Sequence, residues 1–230
     1  MKKIVPILYV TAITALLFVS SAYAAGQTRT RTRTGTYQDS DGNSGTSDTS
    51  TTVSPGSKEQ SATWTNQKGQ TGSHTKASTW NKTTDTGTAS SSTTLTNGKK
   101  KSRKSTVAET APNTYDITGT KTGLNGQTSS FDQTKVKTDA GSTTTGTITG
   151  PKGGVSTIDT TLTKSTGETV KNTEVTGPKG QTGDRVVDTK YNADGSGTRT
   201  IVNTGLDGKT YTRTEIFSAP TDTVSPAPQG

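Results

Sequence analysis

The chain contains no cysteine, a single histidine and few apolar side chains. Of its 230 residues, 23% are apolar and 5% are aromatic, whereas typical globular domains have about 45–50% apolar residues when glycine is included. The absence of cysteine excludes disulfides and thiolate metal sites. The low apolar content leaves too little side chain for a conventional two-layer core, so backbone ladders or self-association must supply the stability.

The first 24 residues are typical of a secretory signal. Two lysines at positions 2–3 precede a mostly apolar stretch over residues 4–19, and residues 22–24 read Ala-Tyr-Ala. This arrangement predicts a cleaved signal peptide of bacterial type over residues 1–24. An uncleaved anchor helix is the alternative, although the stretch is short for a membrane span. We therefore expect an exported protein, extracellular, at the cell surface or in the periplasm, with no transmembrane segment in the mature chain.

A turn recurs along the rest of the chain with an almost fixed period. Residues 150–153 and 177–180 both read Gly-Pro-Lys-Gly, and each is preceded by threonine. The last glycine of this turn belongs to a series spaced by 27 to 29 residues: Gly42, Gly69, Gly98, Gly126, Gly153, Gly180 and Gly208. A period of this size is typical of a chained or stacked array rather than of a compact enzyme.

A second, weaker set of turns divides each period near its middle. These turns lie at residues 54–56, 85–87, 112–113, 139–141, 165–167 and 194–195. The segments between turns are about ten residues long and rich in threonine, whose β-branched side chain suits a strand. Asn-Gly and Asp-Gly pairs in the main turns have the chemistry of hairpins.

These observations predict an all-β protein, an antiparallel hairpin-repeat meander of about a dozen strands with a period of about 27 residues. A β-solenoid with one coil per period is the alternative. Partial disorder also stays open, because abundant serine, glycine and lysine with few apolar residues are typical of disordered chains.

The array weakens at both ends of the chain. We predict a degenerate basic N-terminal repeat region over residues 25–60 and a β-hairpin repeat array over residues 61–217. Residues 218–230 contain three prolines and are expected to form a disordered tail.

The repeated turns resemble those of a group of bacterial secreted proteins built on tandem T-G-P-[NK]-G-x-T units. The resemblance rests on residues 149–153 and 176–182, with looser copies at 123–128 and 205–210, and it covers most of residues 35–217. It implies export and a repeat architecture, and it carries no mechanism.

Side chains that could support catalysis or bind a metal are sparse. His74 is expected to be a solvent-exposed strand residue, because a general base usually needs a positioned partner and partial burial. Asp39, Asp41 and Asn43 begin like a calcium loop, but the glycine and the glutamate that such a loop requires do not follow at the right positions. We therefore predict that the chain is not an enzyme and has no cofactor and no metal site.

Two basic clusters are the candidate binding residues. Arg29, Arg31 and Arg33 alternate with threonine, so a strand would project all three from one face, about 6.6 Å apart. The second cluster consists of Lys99, Lys100, Lys101, Arg103 and Lys104. Both clusters could contact an anionic ligand through summed Coulomb attraction. Alternatively, they are solvated charges that protect exposed strand edges.

The two tryptophans, Trp64 and Trp80, flank one turn. They are predicted to pair across a hairpin, and stacking on sugar rings is the alternative interpretation.

The leading functional hypothesis is a non-catalytic exported β-repeat protein with a structural, surface or matrix role, self-associating through its strand edges. One alternative is a basic binding module for anionic glycan, lipopolysaccharide or nucleic acid, with an anionic polysaccharide or the envelope surface as its partner. Ice binding is a further alternative, since Thr-x-Thr patterns occur over residues 143–149, but charged residues interrupt the threonine rows.

Overall fold

The computed structural model describes residues 27–225, and fifteen β-strands make up most of that part of the chain. The strands are β1 (Thr28–Asp39), β2 (Ser44–Ser54), β3 (Ser57–Asn66), β4 (Thr71–Asn81), β5 (Thr86–Thr94), β6 (Lys100–Ala111), β7 (Thr114–Thr122), β8 (Thr128–Thr138), β9 (Gly141–Thr149), β10 (Val155–Ser165), β11 (Glu168–Thr176), β12 (Thr182–Tyr191), β13 (Gly197–Thr204), β14 (Thr210–Phe217) and β15 (Thr221–Ser225). Within residues 27–225 no helix has the length and apolar character of a membrane span.

The turns form where the glycine spacing predicts them. In the turn between β9 and β10, the amide of Gly153 donates a hydrogen bond to the carbonyl oxygen of Gly150 over 2.9 Å, and Gly153 has φ +80°. That left-handed conformation is open to glycine at little cost. The main turns connect odd-numbered strands to the following even-numbered ones, and the second set makes the other connections. The two sets therefore lie at opposite ends of the strands.

The sheet closes on itself through the first strand. β1 pairs with β2 along most of its length, and its C-terminal half also pairs with β14, where Gly35 lies opposite Phe217 and Asp39 opposite Arg213. Strands β1–β14 thus form a closed antiparallel barrel. The N-terminal half of β1 pairs instead with β15, with Thr28 opposite Ser225. β15 is an additional strand that lies outside the ring of fourteen.

This closure corrects the fold prediction. The all-β class and the antiparallel pairing are confirmed, but the open meander and the β-solenoid are both wrong. The pairing that closes the barrel joins residues about 180 positions apart in sequence. No local turn signal or strand pattern reports a contact of that range.

Within the described part of the chain, the predicted regions do not form separate units. β1 and β2, from the N-terminal region, and β15, from the predicted tail, belong to the same sheet as the other strands. The predicted signal peptide over residues 1–24 lies outside the described residues.

Side chains alternate between the two faces of the barrel wall, and the inner face carries every aromatic ring of residues 27–225. The strand registers place these eight side chains on one side: Tyr37, Trp64, Trp80, Tyr115, Phe131, Tyr191, Tyr211 and Phe217. A small apolar core, formed by Ile117, Phe131, Ile148, Ile158 and Val175, lies on the same side along β7–β11. The interior thus holds all eight aromatic rings and the apolar core.

Candidate functional site

The barrel separates charge between its inner and outer faces. Fifteen basic side chains of the strands lie on the inner face by register: Arg29, Arg31, Arg33, Lys58, Lys76, Lys101, Arg103, Lys121, Lys135, Lys137, Lys164, Lys171, Arg185, Arg199 and Arg213. Four acidic side chains share this face: Asp39, Glu109, Glu215 and Asp222. The inner face is therefore strongly cationic.

The outer face has the opposite balance. It carries nine acidic side chains, namely Asp48, Glu59, Asp116, Asp132, Asp159, Glu168, Glu174, Asp184 and Asp188, and three basic ones, Lys100, Lys104 and Lys190. Threonine and serine fill most of the remaining outward positions of the described strands, and their hydroxyls bond across strands, as between Thr79 and Thr88 over 2.8 Å. Six large apolar side chains point outward: Val136, Val155, Val170, Val186, Val202 and Ile216.

Arg103 is held on the inner face by two side-chain contacts. Its guanidinium lies over the ring of Phe131, 3.5 Å from the centroid, and Nη2 donates a hydrogen bond to Oε1 of Gln133 over 3.1 Å. The ring can lie there because Gly119, between them on β7, has no side chain. The Nε of Arg103 is buried and has no hydrogen-bond partner among the described residues. The guanidinium of Arg103 is therefore held in place, and its Nε donor is unsatisfied among the described residues.

Cations from several strands converge near Lys171. Burial, followed by the charges of four neighbouring cations, lowers the pKa of Lys171 to about 7. These neighbours are Lys135, Lys76, Arg185 and Arg103, from β8, β4, β12 and β6. We call these five residues the mid-lumen cluster. All five face inward, and they come from strands on opposite sides of the fourteen-stranded ring.

Other inward cations also experience desolvation. Burial lowers the pKa of Lys101 to about 8, with a further contribution from the charge of Arg185. Burial also lowers the pKa of Lys135 to about 8 and that of Arg103 to about 9. The basic groups are thus drawn out of bulk water, where a bound anion would stabilise their charged forms.

Each of the four inward carboxylates accepts hydrogen bonds from neighbouring groups. Glu215 accepts from Arg213 over 2.7 Å and from Arg199 over 3.2 Å, and Asp39 accepts from the hydroxyl of Tyr211 over 2.9 Å. Of the other two, Glu109 accepts a hydrogen bond from the amide of Asn113 over 3.0 Å, and Asp222 accepts from Arg29 and Arg31.

The structure divides the predicted anionic-ligand contacts into separate groups. Arg29, Arg31 and Arg33 share the inner face as predicted from their spacing. Arg29 and Arg31 form ion pairs with Asp222 of β15, while Arg33 lies 5.2 Å from the ring centroid of Phe217 and donates to the carbonyl oxygen of Gly195.

The second predicted cluster is split by the wall of the barrel. Lys101 and Arg103 point inward, Lys100 and Lys104 point outward, and Lys99 lies in the turn before β6. Anion binding by the outward residues, Lys100 and Lys104, stays a prediction. Sequence reasoning missed Lys76, Lys135 and Lys171, whose signal is the period-2 alternation that places them on the same face as the aromatic residues.

Two predictions about single side chains are wrong. His74 is half-buried on the inner face, where Nδ1 lies 2.8 Å from Oγ1 of Thr93, and burial lowers its pKa to about 4. Trp64 and Trp80 do not pair: Trp64 lies opposite Gly72, and Trp80 makes an edge contact with Tyr115 at a centroid distance of 6.0 Å. Each tryptophan lies opposite a glycine of the neighbouring strand and not opposite the other tryptophan.

The calcium-like segment acts as a turn cap. Oδ1 of Asp39 accepts hydrogen bonds from the amides of Asp41 and Asn43 over 3.0 and 2.8 Å. These bonds use the carboxylate to satisfy the backbone of the turn between β1 and β2.

No family model matches the sequence, and no curated protein matches it. Two solved structures that resemble the chain are engineered variants of a porin from Rh. blastica, one with five substitutions and one with three. In each case the alignment covers 85% of this chain and 99% of the porin chain, with 10% sequence identity and a TM-score of 0.50. At this identity the likeness concerns the fold alone, a closed β-barrel.

The closed barrel corrects the functional hypotheses drawn from the sequence. A structural or matrix repeat protein that grows by edge-to-edge addition is wrong, because β1 and β14 occupy each other's edges. The interpretation as a basic module for glycan, lipopolysaccharide or nucleic acid is also wrong, because Arg29, Arg31 and Arg33 lie inside the closed wall and the wall divides the second cluster between its two faces. Ice binding fails with the open sheet that it required.

Proposed function

We propose that the chain is a porin-like β-barrel that admits small anions into a basic lumen. The observation that carries the proposal is the segregation of charge, with fifteen cations and four carboxylates inside and the reverse balance outside. A concave, low-dielectric wall of one charge sign focuses its field and raises the local concentration of counter-ions. Small anions are thus favoured inside and cations are excluded.

The size of the ring supports an accessible lumen. Eight strands give a barrel whose interior side chains just fill it, whereas sixteen to eighteen strands leave an aqueous channel. Fourteen strands lie between these limits, which suits an interior that is partly packed, along β7–β11, and partly lined by long basic side chains. Selection by size and charge needs no catalysis, so the proposal keeps the prediction that the chain is not an enzyme.

The outer face favours water as the surroundings of this barrel. Outer-membrane barrels carry an apolar outward band flanked by aromatic girdles, whereas all eight aromatic residues of the described strands lie inside here. Asp132 and Asp159 point outward near the middle of β8 and β10. Charged groups at the bilayer centre are costly. We therefore place the barrel in an aqueous compartment outside the cytoplasm, in line with the predicted signal peptide.

A channel that crosses a lipid bilayer is the second candidate, and the closed barrel fold favours it. It requires the outward hydroxyls and carboxylates to face lipid or to be covered. Insertion into detergent-free vesicles, measured by flotation, distinguishes the two: the proposal expects the folded barrel to stay in the aqueous fraction.

Collisional quenching of tryptophan fluorescence tests anion entry. Both tryptophans of the chain, Trp64 and Trp80, face inward, so they report on the lumen. We expect iodide to quench them several-fold more strongly than caesium at equal concentration, and the difference to shrink with added salt. Equal quenching by the two ions, or stronger quenching by caesium, would overturn the proposal.

A further inference from the structure

We infer that Arg199 and Arg213 form a carboxylate-binding subsite of the lumen and that Glu215 is its internal competitor, so that a small carboxylate from solution binds there by exchange with the Glu215 side chain. This inference rests on the proposed entry of anions into the lumen, and it adds a site, a ligand class and a limit on affinity. We call these three residues the seam site, because they lie beside the pairing of β1 with β14 that closes the barrel.

The strand registers bring the seam site to one patch of the inner face. Glu215 of β14 lies directly opposite Tyr37 of β1 on one side and directly opposite Arg199 of β13 on the other. Arg213 is the preceding inward residue of β14, because side chains along a strand alternate between the two faces. Long side chains at such positions are within reach of one another.

The carboxylate of Glu215 bridges the two guanidiniums. Its Oε1 lies 2.7 Å from Nη2 of Arg213, and its Oε2 accepts a hydrogen bond from Nη1 of Arg199 over 3.2 Å. Each arginine thus binds one oxygen of a planar group, which is the geometry in which guanidiniums recognise carboxylates. A halide offers a single centre and cannot bridge the two donors in this way. The seam site is therefore shaped for a carboxylate.

Aromatic rings hold both guanidiniums independently of Glu215. The Cζ atom of Arg213 lies 3.9 Å from the ring centroid of Tyr37, and that of Arg199 lies 5.9 Å from the ring centroid of Phe217. Cations at these distances are attracted to the ring faces. We therefore expect both guanidiniums to keep their places when one carboxylate leaves and another arrives.

The guanidiniums around the seam site outnumber their ion-pair partners. Arg33 lies 5.2 Å from the ring centroid of Phe217 and forms no ion pair with a described residue. Asp39 lies directly opposite Arg213, but it accepts a hydrogen bond from Tyr211 over 2.9 Å and forms no ion pair with Arg213. Among the described carboxylates, Glu215 alone forms ion pairs with these arginines. The remaining positive charge attracts an anion from solution to this part of the wall.

The tethered carboxylate keeps the affinity for a solute low. The side chain of Arg199 is 39% exposed and that of Glu215 is 18% exposed, so a solute reaches Arg199 first, while Glu215 occupies the space between the arginines. A group on a short flexible tether competes at an effective concentration of about a millimolar or more. A solute carboxylate at lower concentration therefore does not displace it. Weak binding suits an anion that must leave the lumen as well as enter it.

Two glutamates of the inner face give a matched pair of variants. Glu215→Ala removes the competitor, whereas Glu109→Ala removes a carboxylate that accepts from the backbone amide of Asn113 and has no ion pair among the described residues. NMR titration of the Arg199 Nε–H signal with formate measures a dissociation constant for each chain. We expect formate to bind Glu215→Ala about tenfold or more tighter than it binds the unmodified chain, and Glu109→Ala to behave as the unmodified chain does. Chloride at the same ionic strength should bind Glu215→Ala several-fold more weakly than formate does.

A measurement on the unmodified chain covers the case in which Glu215→Ala does not fold. Formate at high concentration should shift the Nε–H signals of Arg199 and Arg213 saturably, whereas neutral formamide should not, and the absence of a saturable shift would refute the seam site. If formate binds Glu215→Ala no tighter than the unmodified chain, or no tighter than chloride, Glu215 is a structural ion pair alone and the inference is wrong. In either case the anion-admitting lumen stands as long as iodide quenches the tryptophans better than caesium. If iodide has no advantage over caesium, both proposals fall.

Discussion

Phe131 lies across Gly119, the residue directly opposite it on the neighbouring strand β7. A Cβ atom at position 119 would come 2.7 Å from Cζ of the Phe131 ring. Four other inward rings have the same relation to a glycine directly opposite: Tyr37 to Gly45, Trp64 to Gly72, Trp80 to Gly87 and Phe217 to Gly197. Glycine gives up packing in a strand, and the ring from the next strand restores it.

This relationship predicts a cost for filling the space under a ring. Gly119→Ala should lower the free energy of unfolding by about 1–3 kcal/mol, the range for overpacking, because the new methyl group meets both the Phe131 ring and the backbone of β6. Urea denaturation followed by tryptophan fluorescence measures it. The control is Gly150→Ala, where the nearest atom would be 3.4 Å away. Equal midpoints for the two variants would show that the aromatic–glycine pairs are not packed as described.

The buried cations predict an unusual dependence of stability on pH. The folded-state pKa of Lys171 is about 7 and that of Lys101 about 8, below the ordinary value of 10.5. Between those values and 10.5 the unfolded chain binds more protons than the folded chain, so stability rises with pH. We expect the free energy of unfolding to increase by at least about 2 kcal/mol from pH 7 to pH 9.5.

Urea denaturation at the two pH values measures this increase, and two variants assign it. Lys171→Met should reduce the increase, and Lys179→Met, at an exposed lysine of a main turn, should leave it unchanged. A barrel that loses stability on going from pH 7 to pH 9.5 would show that the inward lysines are not desolvated.

The ion pairs of Asp222 predict a local effect on β15. Asp222 accepts hydrogen bonds from Arg31 over 2.8 Å and from Arg29, and these bonds hold the pKa of its carboxyl well below the usual range. The carboxylate therefore stabilises the pairing of β15 with β1 above the ordinary pKa, and this contribution is lost as the pH falls below it.

Asp222→Asn should speed amide hydrogen exchange in residues 221–225, while exchange in β8 stays as slow as before. Asp207→Asn, in the turn between β13 and β14, is the control and should leave β15 unaffected. If exchange in β15 is the same in the unmodified chain and in Asp222→Asn, the ion pairs do not hold this strand.

The sequence contained enough to predict the strands and the turns, since threonine-rich segments and glycines with positive φ such as Gly153 and Gly180 are local signals. Closure depends on a contact between β1 and β14, and that contact leaves no local trace. The alternation of Arg29, Arg31 and Arg33 correctly placed them on one face. Which face was the inner one could not be decided without closure, so the cations were assigned to an exposed surface.

The inward lysines of the mid-lumen cluster could not be predicted from the sequence for a related reason. Lys76 and Lys171 are isolated from other basic residues in sequence, and Lys135 has a single inward basic neighbour, Lys137. The sequence pattern favours linear clusters such as residues 99–104, although the barrel wall divides them between its two faces. A rule that a lysine in phase with an aromatic residue of its own strand faces inward would have found Lys76 and Lys135, whose strands carry Trp80 and Phe131, but not Lys171, whose strand has no aromatic residue.

Thiol labelling at two adjacent positions of β9 tests whether this barrel has a cationic interior and a water-facing outside. The chain has no cysteine of its own, and Thr144 faces inward, opposite Lys135, while Thr145 faces outward. Each would be changed to cysteine and treated with a sulfonate-bearing and a trimethylammonium-bearing thiol reagent in detergent-free buffer. If the lumen is cationic and the outer face meets water, Thr144→Cys will react several-fold faster with the anionic reagent, and Thr145→Cys will react readily with both. Equal rates for the two reagents at Thr144→Cys, or protection of Thr145→Cys from both, would contradict it.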